Sequence, residues 1–409
     1  MISTCKVASA GRRHRLKHYV LAAALAVAAL NSANAASTAG HQIWVKSLDV
    51  PIYNDLRVAN GMIYLTSEQP TGPNVFSLSE KSGRVEWKYD TNGSIAIPPT
   101  VGPAQVFVAS DIGDTHFMRA LNAKTGALVW QYTRNQPPEC MCSHPSNLES
   151  GLLFAQTDGH SLFAFDPAGA NVPARRIWQF KGDGAKLTAP VKADGLVVFG
   201  SADHDLYALD ARTGDTRWVA RTGYGFVAKP VIAAGLVIAG NRGGTLHAYS
   251  LKTGKSAWTF TTGGPIDTPP IVTGNRLFLA SADRTVSAID LRTGKLRWQH
   301  ELADYSSFQP VAIGDRLVVA DRAGQLVAFD KRTGIPAWST NLDGTPLSAP
   351  RSWDGKIVLK IGDHRVAAYS TVSGKLEWQY RQPAVVTAPA LGRDAVYVAT
   401  STGKIVALH

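Results

Sequence analysis

Short apolar runs alternate with polar turn residues along the chain after residue 40. Residues 196–199 and 206–209 are typical, because both are rich in branched and aromatic side chains and are bounded by Gly, Asp or Ser. Runs of this length and composition predict β-strands. We find no helical period beyond the first 35 residues, so we predict an all-β chain.

Tryptophan marks a regular internal repeat. Six tryptophans follow one another at intervals of 40 residues: Trp178, Trp218, Trp258, Trp298, Trp338 and Trp378. Three more precede them at intervals of 48, 43 and 43 residues: Trp130, Trp87 and Trp44. A repeat of about 40 residues predicts a propeller, a solenoid or another repeat array.

Each repeat ends in a common local pattern, which is clearest in Ala208, Asp210, Thr213, Gly214 and Trp218. The Thr-Gly step predicts a tight turn, since glycine adopts positive φ without strain. We therefore expect four short antiparallel strands in each unit. The tryptophan at the start of the outermost strand should pack against the neighbouring unit.

The two ends of the repeat region complement one another. The last unit stops at His409 before its outer strand, while residues 42–45 resemble such a strand at the other end of the chain. Pairing the two would close a ring and remove open sheet edges. We predict a closed β-propeller of four-stranded antiparallel blades. Nine units can be counted, but propellers usually have four to eight blades, so eight and nine remain alternatives.

The pattern Ala-x-Asp-x-x-Thr-Gly-x-x-x-Trp resembles the repeat of the pyrroloquinoline-quinone-like (PQQ-like) propellers over residues 41–409. That family includes quinoprotein alcohol dehydrogenases and BamB-type assembly factors of the bacterial outer membrane, and its members usually have eight blades. The resemblance implies the fold. It leaves the function to be argued from individual sites.

The first 35 residues have the pattern of an export signal. A basic start is followed by an apolar run over residues 19–30 and by the small-residue site Ala33-Asn34-Ala35. We expect cleavage after Ala35, which leaves a single periplasmic domain over residues 36–409. The apolar run is too short to span a bilayer, and we expect no transmembrane segment in the mature chain. Arg12 and Arg13 indicate the twin-arginine route as an alternative to general secretion. No lipobox is present, because Ala36 rather than cysteine follows the cleavage site.

Net charge does not favour a nucleic-acid partner. The full chain carries 42 Lys and Arg against 31 Asp and Glu, and five of the basic residues lie in the export signal, so the mature chain has 37 minus 31, or +6. This mild excess lies mostly in turns, which is typical of a solvated surface. We expect no nucleic-acid binding, and we expect a monomer.

One segment carries distinctive side-chain chemistry. Cys140 and Cys142 are the only cysteines of the mature chain, and His144 follows them. In an oxidising compartment we expect a Cys140–Cys142 disulfide or an oxidised loop. The alternative is a soft metal site for copper or zinc formed by Cys140, Cys142 and His144.

A redox enzyme is the catalytic alternative. In the quinoprotein dehydrogenases that the repeat resembles, a bridge between adjacent cysteines packs against the quinone, and a carboxylate with an asparagine holds calcium. Here Met141 separates Cys140 from Cys142. We also find no Ser, His and acid set in a recognisable elbow, and no catalytic residue is assigned. We therefore expect no cofactor, with PQQ and calcium as the alternative.

The favoured prediction is a non-catalytic, exported scaffold in the cell envelope, similar to the BamB-type factors that aid outer-membrane protein assembly. Its partners would be envelope or outer-membrane proteins, which could add a strand to an exposed sheet edge. Aromatic residues in the loops between blades are the candidate contacts: Tyr224, Phe226, Tyr305 and Phe308. Packing within the turn is the alternative role for each of them.

Overall fold

The computed structural model describes residues 40–69, 71–134, 147–157, 160–167, 175–182 and 185–409. These residues form 36 β-strands and, within the described ranges, no helix. The strands make nine separate sheets of four strands each. Every strand pair is antiparallel, as the predicted hairpins require. The all-β propeller is confirmed, and the number of blades is nine rather than eight.

The first four blades contain the following strands. Blade 1 has β2 (Arg57–Ala59), β3 (Met62–Thr66), β4 (Val75–Ser79) and β5 (Val85–Tyr89); blade 2 has β6 (Thr100–Val101), β7 (Gln105–Ile112), β8 (Thr115–Asn122) and β9 (Leu128–Arg134). Blade 3 has β10 (Asn147–Glu149), β11 (Leu152–Gln156), β12 (Ser161–Asp166) and β13 (Arg175–Lys181); blade 4 has β14 (Val191–Ala193), β15 (Leu196–Gly200), β16 (Asp205–Asp210) and β17 (Thr216–Arg221).

The remaining blades repeat the same order. Blade 5 has β18 (Val231–Ala233), β19 (Leu236–Gly240), β20 (Thr245–Ser250) and β21 (Ser256–Thr261); blade 6 has β22 (Ile271–Thr273), β23 (Arg276–Ala280), β24 (Thr285–Asp290) and β25 (Leu296–Glu301). Blade 7 has β26 (Val311–Ile313), β27 (Arg316–Ala320), β28 (Gln325–Asp330) and β29 (Pro336–Asn341); blade 8 has β30 (Arg351–Trp353), β31 (Lys356–Ile361), β32 (Arg365–Ser370) and β33 (Leu376–Arg381). Blade 9 joins β34 (Ala390–Leu391), β35 (Val396–Ala399) and β36 (Lys404–Leu408) to β1 (Gln42–Ser47).

The hairpin between the third and fourth strands explains the repeated Asp-x-x-Thr-Gly pattern. In blade 4, Oδ1 of Asp210 accepts hydrogen bonds from the backbone N–H groups of Arg212 at 2.9 Å and Thr213 at 3.0 Å. Gly214 completes the turn with φ +78°. Arg217 donates to Oδ2 of Asp210 at 2.7 Å, and this bond, with the two backbone bonds, lowers the pKa of Asp210 to about 2.

Tryptophan links each blade to the next. The Trp258 indole of blade 5 lies over Gly294 of blade 6, where an added methyl group would come within 2.7 Å of Cδ2. Trp258 Nε1 also donates to the Leu291 carbonyl at 3.1 Å. Five other pairs repeat this bond at 2.9–3.2 Å: Trp87–Ala123, Trp178–Ala211, Trp218–Leu251, Trp298–Lys331 and Trp338–Thr371. The predicted packing of tryptophan between units is confirmed.

The ring closes between the two ends of the described chain. β1 pairs with β36 as the outermost strand of blade 9, with Trp44 opposite Ala407. The predicted completion of the last blade is therefore confirmed. Blade 9 then joins blade 1 through the Glu80 carbonyl, which accepts from Trp44 Nε1 at 3.3 Å and from the Tyr397 hydroxyl at 3.0 Å.

The hydrophobic core lies in layers between successive blades. Phe278 and Val286 of blade 6, for example, pack with Leu317, Val319 and Phe329 of blade 7, and all five are fully or almost fully buried. Because each sheet buries both faces, the second and third strands are nearly continuous apolar runs. Each layer holds one blade against the next, so the ring does not depend on a single central core.

Strand direction assigns each described loop to one of two faces. The first strand of each blade lies innermost, because first strands of successive blades contact one another around the axis. The hairpins between second and third strands and the connections between blades lie on one side, which we call the upper face. The other hairpins form the lower face. No helix in the described residues could cross a membrane.

Candidate functional site

The upper face consists mainly of the connections that run from the outer strand of one blade to the inner strand of the next. Most of these connections end in a proline directly before the inner strand: Pro99, Pro190, Pro230, Pro270, Pro310, Pro350 and Pro389. Proline fixes φ and disfavours the helical region for the residue before it. The sequence therefore guides these seven connections in extended form towards the inner strands.

A buried side chain anchors several of these connections. Phe226 is 1% exposed, Ile266 is 0% exposed and Val386 is 1% exposed. A methyl group on Gly200 of the preceding blade would lie 2.5 Å from Phe226 Cβ, so the phenyl group fits closely against that glycine. Phe226 cannot contact a partner from this position. Its assignment as a partner-binding residue is corrected to the packing role, because burial between blades stabilises it there.

The other three predicted contact residues remain accessible. Tyr224 is 58% exposed, although its ring covers Gly243 of the next blade. Tyr305 is half-buried, with the Arg322 guanidinium 5.1 Å from its ring centroid in a cation–π arrangement. Phe308 is also half-buried. The structure thus brings all three to the upper face, with Tyr305 and Phe308 in the connection between blades 6 and 7 and Tyr224 in the connection between blades 4 and 5.

Further exposed apolar side chains on the upper face were missed in the sequence. Tyr53 is 56% exposed, Leu347 43%, Val385 40% and Val227 39%. Each lies in a connection between blades, close in sequence to a side chain that anchors the same connection. The lower face is different, since only Ile335 and Val372 are exposed among large apolar side chains of its described hairpins.

A cavity of about 650 Å³ opens where the upper face meets the central channel. It is lined by the inner ends of blades 1, 7, 8 and 9, including Arg57, Gln309, Ser348 and Arg351. Burial lowers the pKa of Arg57, nearby Asp55 opposes this shift, and the positive charge of Arg351 adds to it. Cationic groups therefore face this cavity.

A second cleft, of about 640 Å³, lies across the channel at blades 3 to 5. It is also lined by cations, but two of them have acidic partners. Lys229 lies 3.5 Å from Glu149, and Arg242 lies 3.5 Å from Asp267. Because these charges are paired, this cleft has less capacity for an anion than the first.

The predicted metal and disulfide residues Cys140, Cys142 and His144 lie outside the described residues, so their role stays a prediction. Among the described residues, no group of three His, Cys, Asp or Glu side chains could hold a metal ion. The described side chains that line the first cavity include Arg57 and Arg351, whose positive charge suits an anion. The alternative of PQQ with calcium stays a prediction.

Comparison with known proteins places this fold in context. The chain matches a family model described as outer membrane protein assembly factor BamB over residues 26–174, 149–225, 220–309 and 305–409. BamB from Bordetella pertussis is 29% identical over 134 residues, which are 32% of this chain and 33% of that relative. The serine/threonine-protein kinase AfsK from Streptomyces coelicolor is 28% identical over 187 residues, which are 45% of this chain and 21% of the kinase. The matched segments span a third or less of these relatives.

Solved structures share the fold at low sequence identity. BamB from Moraxella catarrhalis has a TM-score of 0.55 and 17% identity, covering 90% of this chain and 99% of that one. The computationally designed protein Ika8 has a TM-score of 0.60 and 14% identity, covering 82% and 98%. The quinohemoprotein alcohol dehydrogenase ADHIIG from Pseudomonas putida HK5 has a TM-score of 0.54 and 14% identity, covering 90% and 76%. These likenesses show the propeller fold alone. Because the family model matches the chain from residue 26 to its last residue, the protein belongs to the family of the outer membrane protein assembly factor BamB.

Proposed function

We propose that this protein is a non-catalytic scaffold of the cell envelope that binds other proteins during outer-membrane protein assembly. The exposed apolar side chains on the upper face are the observation that carries the proposal. Isolated apolar residues are ordinary on any surface, but here several share one face around the channel mouth. Membership of the BamB family supports the same role.

The upper face is suited to binding because its loops are held in place. In one connection the Ser306 hydroxyl shares its single hydrogen between the Ala320 carbonyl at 2.8 Å and the Phe308 carbonyl at 2.9 Å, which holds the backbone around Tyr305 in place. A loop that is already ordered loses less conformational entropy when a partner binds. We therefore expect Tyr305 and Phe308 to contribute contacts at low entropic cost.

Strand addition is a second way for the same scaffold to bind a client. The fourth strand of each blade lies at the edge of its sheet, so one side of its backbone is not paired within that sheet. Val219 in β17 is 40% exposed and Leu296 in β25 is 47% exposed. An extended client could pair with such an edge and cover these side chains.

The upper-face role can be tested by replacing Tyr53, Leu347 and Val385 together with serine. Burying a large apolar side chain contributes about 1.5–3 kcal/mol, so loss of even one buried contact should weaken capture about tenfold or more. Capture is measured by crosslinking in living cells, followed by quantitative mass spectrometry of the recovered envelope proteins. A circular dichroism melt verifies that the ring is intact.

A matched control replaces Ile335 and Val372 on the lower face with serine. These side chains are 65% and 82% exposed, so the change removes comparable apolar surface without touching the upper face. We expect the control to capture clients like the unmodified protein. Equal loss in both variants, or undiminished capture by the upper-face variant, would refute the assignment. If capture then fails only when prolines are placed in β17 and β25, strand addition is the binding mode.

Export is part of this proposal, and it rests on the sequence of residues 1–35. We propose that the protein enters the periplasm and that cleavage after Ala35 leaves Ala36 as the first residue. N-terminal sequencing of protein recovered from the periplasmic fraction tests both statements. Accumulation of uncut protein after replacing Arg12 and Arg13 with lysine would indicate the twin-arginine route, whereas normal processing would indicate general secretion.

A further inference from the structure

Two arginines occupy equivalent positions on either side of the ring-closing blade. Arg57 begins the inner strand of blade 1 and pairs with Tyr64, while Arg351 begins the inner strand of blade 8 and pairs with Val358. Between them, blade 9 begins its inner strand with Ala390. Both arginines line the 650 Å³ cavity at the channel mouth, together with Pro389 and Leu391 of blade 9, and we call this cavity the arginine pocket.

The positive charge of the arginine pocket is only partly compensated. Among the described residues, neither guanidinium group forms a salt bridge. Arg57 Nη1 donates to the Leu56 carbonyl at 3.4 Å, and Arg351 Nη1 donates to the Pro389 carbonyl, also at 3.4 Å. Both bonds are long and both acceptors are neutral. Of the residues that the structure describes, Asp55 is the only acidic one that lines the pocket, and its Oδ1 accepts from the Ala388 N–H at 3.3 Å. Two cations thus face one carboxylate.

A carboxylate or phosphate group is the ligand that best suits the two guanidinium groups of the arginine pocket. Burial and the neighbouring Arg351 lower the pKa of Arg57, which means that the charged form lacks full stabilisation in the free protein. A guanidinium group has planar N–H donors whose spacing matches the two oxygens of a carboxylate. An anion placed between Arg57 and Arg351 would therefore relieve their repulsion and satisfy unused donors on both.

Much of the remaining wall of the pocket is apolar, beside the polar side chains of Gln309, Ser348 and Ser352, and this favours a ligand that carries apolar groups. Phe308, Val311, Leu347 and Leu391 line it, and Leu347 is 43% exposed. A free phosphate ion would leave this wall in contact with water. A polypeptide ending in apolar residues would cover the wall and place its terminal carboxylate between the arginines.

We propose that the arginine pocket binds the carboxyl terminus of a client polypeptide whose last side chains are apolar. This inference rests on the proposed scaffold function and adds to it a definite recognition element. The terminal carboxylate lies between Arg57 and Arg351, while the apolar side chains contact Phe308 and Leu347. The upper face would then select chain ends, in addition to holding clients through its exposed apolar side chains.

The direct test compares two fluorescent peptides of identical apolar sequence, one with a free terminal carboxylate and one with a terminal amide. Binding to the purified mature protein is measured by fluorescence anisotropy. We expect the amide to bind at least tenfold more weakly, because it loses the charge and two charge-assisted hydrogen bonds. Equal affinities for the two peptides would overturn the proposal, and this comparison needs no variant of the protein.

Variants assign the effect to the arginines. The double change Arg57→Gln and Arg351→Gln should lower the affinity for the free-acid peptide to that for the amide peptide. The double change Arg57→Lys and Arg351→Lys should retain part of the difference in affinity between the two peptides. Arg332→Gln on the lower face is the control for loss of charge, and it should bind like the unmodified protein. A double glutamine variant that folds and still prefers the free acid would refute the role of these residues.

A competition experiment distinguishes a site for a peptide carboxyl terminus from a site for any small anion. Inorganic phosphate and succinate are added as competitors to the bound free-acid peptide. We expect displacement only at concentrations at least a hundredfold above that of unlabelled peptide. Displacement at equal concentrations would show a small-anion site and would overturn the carboxyl-terminal assignment. Crosslinked capture by the glutamine variant is measured in parallel. Unchanged capture together with equal affinity for acid and amide would reject this inference and leave the scaffold proposal standing.

Discussion

The contact between Trp258 and Gly294 allows a quantitative test of how neighbouring blades are joined. In a Gly294→Ala variant, the new methyl group would lie 2.7 Å from both Cδ2 and Cε3 of Trp258. Residue 294 also has φ +70°, a conformation that costs a residue with a side chain about 1–2 kcal/mol. Overpacking adds about 1–3 kcal/mol. We therefore expect the free energy of unfolding to fall by about 2–5 kcal/mol, measured by urea denaturation.

Gly274→Ala is the matched control in the same blade. Gly274 has φ +58°, but nothing lies within 4 Å of an added methyl group, so this variant should lose only the backbone contribution. A second comparison introduces Gly294→Ala into a Trp258→Ala background, where the clash is absent and the cost should approach that of Gly274→Ala. If Gly294→Ala costs no more than Gly274→Ala in the unmodified protein, the blades are not held by this contact and the reasoning is wrong.

Three further predictions concern charge, ring closure and the cysteines. The hydrogen bond from Arg297 is the main cause that lowers the pKa of Asp290 to about 2, so the contribution of Asp290 to stability should be complete above pH 3.8 and be lost as pH falls through about 2. Thermal melts of Asp290→Asn should lack this part of the acid dependence. An identical pH profile for the variant and the unmodified protein would contradict the ion pair. Tyr397→Phe removes the hydroxyl bond to the Glu80 carbonyl and should cost about 1 kcal/mol in urea denaturation, while an unchanged midpoint would show that this bond does not hold blades 9 and 1 together. If Cys140 and Cys142 form a disulfide, intact-mass measurement should find the mature protein two hydrogen atoms lighter than the reduced chain, whereas stoichiometric copper or zinc would support the metal site instead.

The architecture was predictable because its packing residues repeat with the fold. Seven of the nine repeat tryptophans meet both a glycine and a carbonyl of the next unit, so most blades carry the same packing constraint in their sequence. The spacing between Trp218 and Trp258 therefore carries structural information even where residues between them differ. Closure followed from the same pattern, since an incomplete last unit needs an outer strand.

The functional face was less predictable because exposure is not periodic. Phe226 was assigned to a partner surface. Ile266 lies 40 residues after Phe226 and Val386 lies 160 residues after it, so all three share one position in the 40-residue repeat. An apolar residue at the same repeat position in three units is a signal of burial that comparison of the units could have revealed. Leu347 and Tyr53 gave no such signal, because a single apolar residue in a connection can face either way.

The arginine pocket could not be derived from local sequence for a different reason. Arg57 and Arg351 belong to opposite ends of the repeat region, and they approach one another only because blade 9 closes the ring. The two arginines occupy equivalent positions because of the strand register, in which Arg57 pairs with Tyr64 and Arg351 pairs with Val358. A short sequence motif reveals neither the closure of the ring by blade 9 nor the strand register.

The way in which blade 9 is assembled has a consequence for molecular association. Pairing β1 with β36 joins Trp44 to Ala407, and closing a loop of about 360 residues costs about 5 kcal/mol of chain entropy. Trp378, at the joint between blades 8 and 9, also has an indole N–H without a hydrogen-bond partner in the described part of the chain. Amide protons of blade 9 should thus exchange with solvent before those of other blades. When β1 detaches, the exposed edge of β36 can accept β1 from a second molecule, so concentrated protein should slowly form domain-swapped dimers whose blades are otherwise unchanged.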